Sequence, residues 1–427
     1  MRFIFAITLY RLILPLLFLT AFPGWVVKMI RRGGFGTRLG ERAAIYTTGK
    51  EYEPCGAIHV HAVSVGETII ALKLLREWRK VSPQQKFALA TGTATGHAVA
   101  TSAGLENLRV TYSPLDFPSM VRRYIDRFEP SRIILIEGEA WPHLLQLCRR
   151  KQIPVQLVNA RLSPRSARRY LKFKNWIRPL FAMLDGVAVQ EKEDVSVWNE
   201  LGVDHGKIHL TGSIKFDPGS GAHPARRPEF QELLDQFGHG RPMILAASTH
   251  IGEEAWIADA IRSAGTRVLP VIVPRHAERR SEVRADLSKS GFEAILRSAF
   301  VSPADPDRAC FVIDSTGELR DWTAHADVMV IGKSFLSTGG QNPAEAILAR
   351  KPLIVGPHME NFEPLASRLI AAGGCLRVHD QTGLAAAITI ALDPAMSARL
   401  TEAATAVLAV HEGATARVVS LLQTGNI

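Results

Sequence analysis

The chain has 427 residues, 47% of them hydrophobic and 22% charged, which is typical of a globular protein with two domains and not of a disordered one. The net charge of +10 predicts a polyanionic partner, whereas the aromatic fraction of only 7% and the lack of interleaved basic and aromatic motifs argue against nucleic acid. Four widely separated cysteines, with no C-x-x-C pair, argue against a disulfide framework or a zinc site and are typical of a reducing compartment.

The first predicted element is an apolar segment, residues 3–27, which is interrupted by Arg11. Its uncharged part, residues 12–27, has 16 residues, fewer than the roughly 20 that span a bilayer. Residues 20–23 form a poor signal-peptide cleavage site. We therefore predict a membrane anchor over residues 1–30 that crosses the bilayer at a tilt or lies in its interface. The alternative is a helix buried against a partner.

A basic cluster follows the apolar segment and consists of Lys28, Arg31, Arg32, Arg38 and Arg42. Cations in this position favour the cytoplasmic side of a membrane and attract anionic lipid. We therefore expect the protein at the cytoplasmic face of a membrane, with anionic lipid as a partner.

From residue 57 onward, strand and helix patterns alternate, which predicts two doubly wound parallel sheets in Rossmann-like domains. A first domain over residues 31–217 and a second over 229–427 are separated by a linker rich in Gly, Pro and Arg at 218–228. The predicted strands are residues 57–63, 86–91, 109–112, 132–136, 155–158, 186–189, 208–211, 243–247, 268–273, 294–296, 310–313, 328–331 and 353–355.

Glu67 stands where the first predicted strand gives way to a helix. Open α/β sheets bind ligands at the carboxyl ends of their strands, so this carboxylate is a candidate general base. The same spacing, Ser64-x-x-Glu67, also fits a capping box, in which the carboxylate only closes the start of the helix.

Three further charged residues follow strands or end the first predicted domain. Glu137 and Glu139 come directly after the strand at 132–136, and Lys215 lies at the boundary with the second domain. Because the carboxyl ends of parallel strands meet in one crevice, we expect these side chains to lie near Glu67. A solvated surface charge is the alternative for each residue alone.

The second half has loops suited to an anionic ligand. Arg275 follows a strand and could pair with a phosphate. Gly339 and Gly340 precede a helix, where backbone N–H groups can approach an anion, and Glu345 could bind ribose hydroxyls. The alternative for this last loop is again helix capping, with Asn342 as the cap and Pro343 in the first helical position.

Other chemistries lack support in the sequence. The H-E-x-x-H pattern of zinc enzymes is absent, and His59 and His61 lie on an apolar strand, where a structural role is expected. Walker A and G-x-S-x-G motifs are also absent.

Taken together, the motifs resemble the 3-deoxy-D-manno-octulosonic acid (Kdo) transferases of lipopolysaccharide synthesis, in order and through nearly the whole chain. The matching stretches are His61–Glu67, Glu137-x-Glu139-x-Trp141-Pro142, Asn159–Ser163, Gly212-x-x-Lys215-Phe216-Asp217, Ala247-Ser248-Thr249-His250-x-Gly252-Glu253-Glu254, Pro274-Arg275-His276-x-Glu278-Arg279, Gly317–Leu319 and Gly339-Gly340-x-Asn342-Pro343-x-Glu345.

The resemblance implies the GT-B glycosyltransferase fold, with two domains facing a cleft and the C-terminal helices packing back across it. It implies transfer of Kdo from CMP-Kdo to a lipid A precursor (lipid IVA) at the bacterial inner membrane, with inversion and without a metal or cofactor. By resemblance Glu67 is the general base, and Glu137 and Lys215 stabilise the transition state. The implied contacts to CMP are Pro274, Arg275, Thr316, Gly317, Glu318, Asn342, Pro343, Ala344 and Glu345.

The chain departs from the family pattern at a few positions. Gln341 replaces a usual histidine, Gly138 a usual threonine and Lys333 a usual glycine. The alternative functions are another GT-B enzyme that uses a different nucleotide sugar on a membrane lipid, or a basic membrane-bound scaffold without turnover.

Overall fold

The computed structural model describes residues 2–31, 38–47, 49, 53–138, 140–217, 224–265 and 267–425. Its chain divides into two compact units. The first consists of Met1–Gly219 together with His411–Ile427, and the second of Ser220–Val410.

The first unit is built on a seven-stranded parallel sheet with the order β3-β2-β1-β4-β5-β6-β7. Its strands are β1 (Ile58–Ala62), β2 (Phe87–Thr91), β3 (Leu108–Tyr112), β4 (Arg132–Ile136), β5 (Val155–Ala160), β6 (Gly186–Val189) and β7 (Ile208–Leu210). Its helices are α1 (Arg2–Arg31), α2 (Val65–Val81), α3 (Ala94–Ser102), α4 (Pro118–Phe128), α5 (Pro142–Lys151), α6 (Pro164–Lys172), α7 (Lys174–Phe181), α8 (Lys192–Glu200) and, from the end of the chain, α17 (Ala414–Thr424).

The second unit repeats this architecture with the strand order β10-β11-β9-β8-β12-β13-β14. Its strands, again all parallel, are β8 (Met243–Thr249), β9 (Leu269–Pro274), β10 (Glu293–Leu296), β11 (Ala309–Val312), β12 (Val328–Ile331), β13 (Leu353–Val355) and β14 (Leu376–Arg377). Its helices are α9 (Pro228–Asp235), α10 (Glu253–Ala264), α11 (Arg280–Lys289), α12 (Leu319–Thr323), α13 (Ala344–Leu348), α14 (Leu365–Ala371), α15 (Gln381–Leu392) and α16 (Pro394–Ala409).

The central strands are buried on both faces, which explains their nearly continuous apolar sequences. Every residue of β1, β2, β6, β9 and β12 is buried. His59 is a polar residue on one of these apolar strands, and its Nδ1 lies 2.6 Å from the Tyr124 hydroxyl. Burial lowers the pKa of His59 to about 3 and that of His61 to about 4, so both rings are neutral parts of the core.

The predicted fold class of two parallel sheets is confirmed, and the sequence analysis missed only the two-residue strand β14 among the described strands. That strand is too short to show an apolar pattern. The structure also places the last helix, α17, in the first unit, whereas the predicted second domain extended over residues 229–427. Part of the predicted linker, residues 218–223, lies outside the described residues.

The N-terminal helix α1 is 30 residues long and exposes large apolar side chains. They include Phe5, Leu9, Leu12, Ile13, Leu16, Leu17 and Leu19. By length and composition, only 394–424 among the described segments reaches the range of a membrane-crossing helix, whereas 5–20 is a shorter apolar helix. Residues 394–424 are divided between α16 and α17, which bury apolar faces as core helices do.

The basic cluster after α1 is only partly described. Arg42 donates to the Gly92 carbonyl at 2.5 Å, and its guanidinium lies 4.2 Å from the ring centroid of Tyr112. This arginine therefore belongs to the packing of the first unit. Arg32 lies outside the described residues.

Candidate functional site

The first sheet has a topological switch point between β1 and β4. The chain adds β2 and β3 on one side of β1 and then crosses to the other side of β1, where it adds β4 to β7. Ligand crevices of open α/β sheets form at such a reversal of strand order, outside the carboxyl ends of the two strands. Glu67 lies in the first turn of α2, just after β1, and Glu137 follows β4 directly. The sheet thus brings both carboxylates to the same edge.

Ser64 caps α2, but the Glu67 carboxylate accepts the backbone N–H of Val63 and not that of Ser64, as a capping box would require. The two carboxylate oxygens of Glu67 accept the Val63 N–H and the Ser64 hydroxyl, each at 2.8 Å. The Glu67 N–H in turn donates to the Ser64 hydroxyl at 3.2 Å. Only 9% of Glu67 is exposed. These bonds orient the carboxylate and leave each oxygen a second lone pair for another donor.

Glu137 has a backbone φ of 64°, a left-handed conformation that costs a non-glycine residue on the order of 1 kcal/mol. Burial raises the pKa of Glu137 above its ordinary value, and the nearby Glu67 carboxylate raises it further. Arg161 and Lys215 oppose this shift. Glu67, Glu137, Arg161 and Lys215 are therefore close enough to interact electrostatically, and we call them the first-unit cluster.

Lys215 is the exposed residue of an otherwise buried turn, residues 213–217, that several distant residues hold in place. Burial of the amine lowers the pKa of Lys215, and the Glu137 carboxylate opposes this effect. The turn is tied down where the Ile214 N–H donates to the Asn159 side-chain oxygen at 2.8 Å and where Lys73 donates to the Ile214 carbonyl, also at 2.8 Å.

The chain terminus also supports this turn. The Ser213 N–H donates to Nδ1 of His411 at 3.1 Å, and the Asp217 carboxylate accepts the N–H groups of Gly413 and Thr415 at 3.0 and 2.7 Å. The sequence analysis did not find the role of His411. No local pattern could have shown it, since the two bonded residues are 198 positions apart.

In the second unit, Arg275 and Glu345 lie close enough to interact. Arg275 is exposed and follows β9, whose last residue, Pro274, is buried. Glu345 lies in the first turn of α13. Burial raises the pKa of Glu345 above its ordinary value, and the Arg275 guanidinium opposes the shift.

The other residues of the predicted CMP site lie in loops that follow strands of the second sheet. Thr316 and Gly317 are exposed, and the Glu318 carboxylate accepts the Ser315 hydroxyl and the Trp322 indole N–H, the latter at 3.4 Å. The Asn342 side-chain oxygen accepts the Ala344 N–H at 3.1 Å. Pro343 is the capping residue of α13, one position later than predicted for the cap, and Ala344 is the first helical residue.

The buried carboxylate of Glu253 holds two strand-end loops of this unit together. It accepts the N–H groups of His250 at 3.1 Å and of Phe335 at 3.1 Å, together with that of Lys333. Lys333 has a φ of 55°, which gives a structural reason for a glycine at this position in relatives. Burial lowers the pKa of His250, and the charge of Lys333 lowers it further. The lowered pKa favours the neutral form of His250, so Arg275 and Lys333 supply the positive charge of these loops.

Glu139, the partner of Glu137 in the sequence pattern, lies outside the described residues. Within the parts of the chain that the structure describes, no three His, Cys, Asp or Glu side chains are grouped in a way that could hold a metal ion.

Comparison with known proteins identifies relatives of this chain. Residues 37–218 match the family model described as 3-Deoxy-D-manno-octulosonic-acid transferase (kdotransferase). The chain is 36% identical to the 3-deoxy-D-manno-octulosonic acid transferase of Bordetella pertussis, over 93% of this chain and 95% of the relative. It is 32% identical to the enzyme of the same name from Haemophilus influenzae, over 90% of this chain and 91% of the relative.

Solved structures share the fold at low sequence identity. A glycosyltransferase from Rickettsia africae aligns with a TM-score of 0.55 and 13% identity, over 86% of this chain and 97% of that one. The UDP-GlcNAc 2-epimerase of Neisseria meningitidis aligns with a TM-score of 0.58 and 13% identity, over 86% and 99%. These similarities support the predicted GT-B architecture. With the two close relatives, they show that the chain is a glycosyltransferase that belongs to the 3-deoxy-D-manno-octulosonic acid transferase family.

Proposed function

We propose that this glycosyltransferase transfers Kdo from CMP-Kdo to a lipid A precursor, lipid IVA, in lipopolysaccharide synthesis. Membership of the Kdo transferase family supports the sugar and the pathway. The observation that carries the mechanism is the grouping of Glu67, Glu137 and Lys215 at the reversal of the first sheet.

In the proposed reaction Glu67 is the general base. Its carboxylate accepts the proton of an acceptor hydroxyl as that oxygen attacks the anomeric carbon of Kdo. The bond from that carbon to the phosphate oxygen breaks, and its electron pair leaves with CMP. Because the new bond forms on the face opposite the broken one, the configuration inverts. Support for this role comes from the contacts with Val63 and Ser64, which hold the carboxylate in one orientation.

Glu137 and Lys215 have complementary roles in this proposal. The Lys215 ammonium stabilises negative charge, and the Glu137 carboxylate stabilises positive charge that develops on the sugar ring. Their mutual electrostatic interaction supports a shared place in one site. Arg161 adds a second positive charge there.

We assign donor binding to the second unit. Arg275 pairs with the CMP phosphate, Glu345 binds ribose hydroxyls, and the loops at 316–318 and 342–344 surround the nucleotide with Pro274 beneath it. The exposed Arg275 guanidinium, close to Glu345, supports an anionic ligand. In this proposal no metal takes part, and Arg275 stabilises the leaving phosphate.

We further propose that α1 anchors the protein to the cytoplasmic face of the inner membrane and that anionic lipid is a partner there. The exposed apolar side chains of α1 support this assignment, since large exposed apolar surfaces mark membrane or protein contacts.

The deciding experiment measures CMP release from CMP-Kdo by the purified full chain, with and without a tetra-acylated lipid A precursor and in the presence of EDTA. Mass spectrometry then determines the mass of the lipid. We expect release that depends on the acceptor, survives EDTA and adds the mass of Kdo to the lipid. Absence of release from folded, lipid-bound protein would contradict the proposal, and release from a UDP-sugar instead would identify a different donor.

A further inference from the structure

The first unit contains a cavity of about 330 Å³ between α1 and α5, and none of the residues assigned to the reaction lines it. We call it the α1–α5 pocket. Its walls are formed by Arg11, Gln146, Arg149 and Arg150, with Ile7 and Met183 as apolar neighbours.

The pocket is a defined site because α1 is held in one register against the unit. The Tyr10 hydroxyl donates to the Asp116 carboxylate at 3.0 Å, and Nε of Arg11 donates to Nε2 of His143 at 3.4 Å. On α5, Gln146, Arg149 and Arg150 lie three and four residues apart and therefore share one face of the helix. Two separate elements thus direct guanidinium groups toward the same cavity.

The pocket has an excess of positive charge. None of the described side chains that line it is acidic, and no ion pair joins Arg11, Arg149 or Arg150 to a carboxylate within the described residues. Arg149 and Arg150 lie in the last turn of α5, where the negative end of the helix dipole stabilises their positive charge. That effect does not explain why Arg11 comes from another helix to the same place. Like charges so placed repel one another unless an anion lies between them.

The helix that supplies Arg11 also exposes apolar side chains that could contact lipid. Leu9, Leu12, Ile13 and Leu16 are exposed on other faces of α1 than the face that carries Arg11. Guanidinium groups bind phosphate through paired hydrogen bonds, and exposed leucines favour contact with acyl chains.

We propose that the α1–α5 pocket binds the phosphate group of a membrane lipid, with the acyl chains of that lipid along α1. The site deepens the proposed membrane association, on which it rests, and is independent of the transfer reaction. Lipid binding in this pocket sets the depth and the orientation of the first unit at the bilayer surface. A general electrostatic attraction to the bilayer would set neither.

The test compares the double variant Arg149→Ala/Arg150→Ala of the full chain with Arg76→Ala/Arg122→Ala. The control removes the same charge from exposed arginines of α2 and α4, outside the pocket. Binding is measured by co-sedimentation with phosphatidylcholine vesicles, alone or mixed either with phosphatidylglycerol or with the lipid A precursor. Unfolding midpoints verify that all variants are folded.

We expect the pocket variant to lose roughly 25-fold in binding to phosphate-rich vesicles, about fivefold for each arginine, while the control binds like the parent. Vesicle binding by Arg149→Lys/Arg150→Lys should be intermediate between that of the alanine variant and that of the control, because lysine keeps the charge and loses the paired hydrogen bonds. A loss with phosphatidylglycerol vesicles assigns the pocket to bilayer lipid, whereas a loss confined to precursor vesicles would overturn the proposal, because the pocket would then belong to acceptor binding.

Equal losses of vesicle binding in the pocket and control variants would overturn the proposal, because they would indicate a diffuse electrostatic attraction to the bilayer. Unchanged vesicle binding in both variants would overturn it as well. A loss of inorganic phosphate binding with unchanged vesicle binding would also overturn it, since the ligand would then be free phosphate. No donor is present in these measurements, so their outcome is separate from that of the CMP-release assay.

Discussion

The two units have closely similar sheets but opposite chemistry at their strand ends. The first-unit cluster combines the carboxylates of Glu67 and Glu137 with two cations. The second unit places the exposed Arg275 guanidinium close to the carboxylate of Glu345, with Lys333 near His250 in the same unit. Both units bury a carboxylate whose pKa is raised, so the sheet edge itself creates a partly dehydrated site in each case. The loops then decide whether that site accepts a proton or binds an anion.

This comparison suggests a division of labour that substitutions can separate. Changes in the first-unit cluster should affect the rate of transfer and spare nucleotide binding. Changes near Arg275 should affect nucleotide binding first. Substitutions of Glu67, Arg275 and Lys215 test this division, and one of Glu137 tests the burial of its carboxylate, from the largest expected effect to the smallest.

Glu67→Gln should reduce turnover by about 10² to 10⁴, because the amide cannot accept the proton of the attacking hydroxyl. The amide oxygen still accepts a hydrogen bond, so we expect helix α2 to remain capped and the protein to remain folded. CMP affinity, measured by calorimetry, should be unchanged. Wild-type turnover in this variant would show that Glu67 is only a helix cap.

Arg275→Ala should weaken CMP binding by about 10- to 100-fold, the usual cost of losing a hydrogen-bonded charge. Lys215→Ala is the matched change in the first unit, since each removes one exposed cation. It should lower turnover and leave CMP binding close to that of the parent. Calorimetry and steady-state rates on both variants test this, and equal losses of CMP affinity would contradict the division between the units.

Glu137→Gln should stabilise the protein at neutral pH by less than about 2 kcal/mol, within the range of single substitutions. The pKa of Glu137 is higher in the folded protein than in the unfolded chain, so ionisation of this group destabilises the fold. That cost is absent below the unfolded pKa of about 4.3 and grows as the pH rises through the folded pKa.

Urea unfolding across this pH range measures the effect. The difference between Glu137→Gln and the parent should vanish in acid and be largest at neutral pH. Glu106→Gln is the control, because this carboxylate is 84% exposed. A similar pH dependence in both variants would rule out burial of Glu137 as the cause.

The amino-acid sequence by itself determined the order of strands and helices and the strand ends at which charged residues appear. Continuous apolar runs are a local signal, so most strand bounds agree with the structure to within one or two residues. The capping-box spacing at Ser64 and Glu67 was equally local, and the Ser64 hydroxyl does cap α2, whereas the Glu67 carboxylate accepts the Val63 N–H in place of the Ser64 N–H.

Tertiary structure alone decided which of these charged residues lie together. The reversal between β1 and β4 brings Glu137 near Glu67, although the strands β2, β3 and β4 separate the two residues in the chain. Asn159 and His411 hold the Lys215 turn from far along the sequence, and the α1–α5 pocket depends on two helices that meet only in the fold. Such contacts depend on packing between distant segments, and no periodicity within a short stretch encodes them.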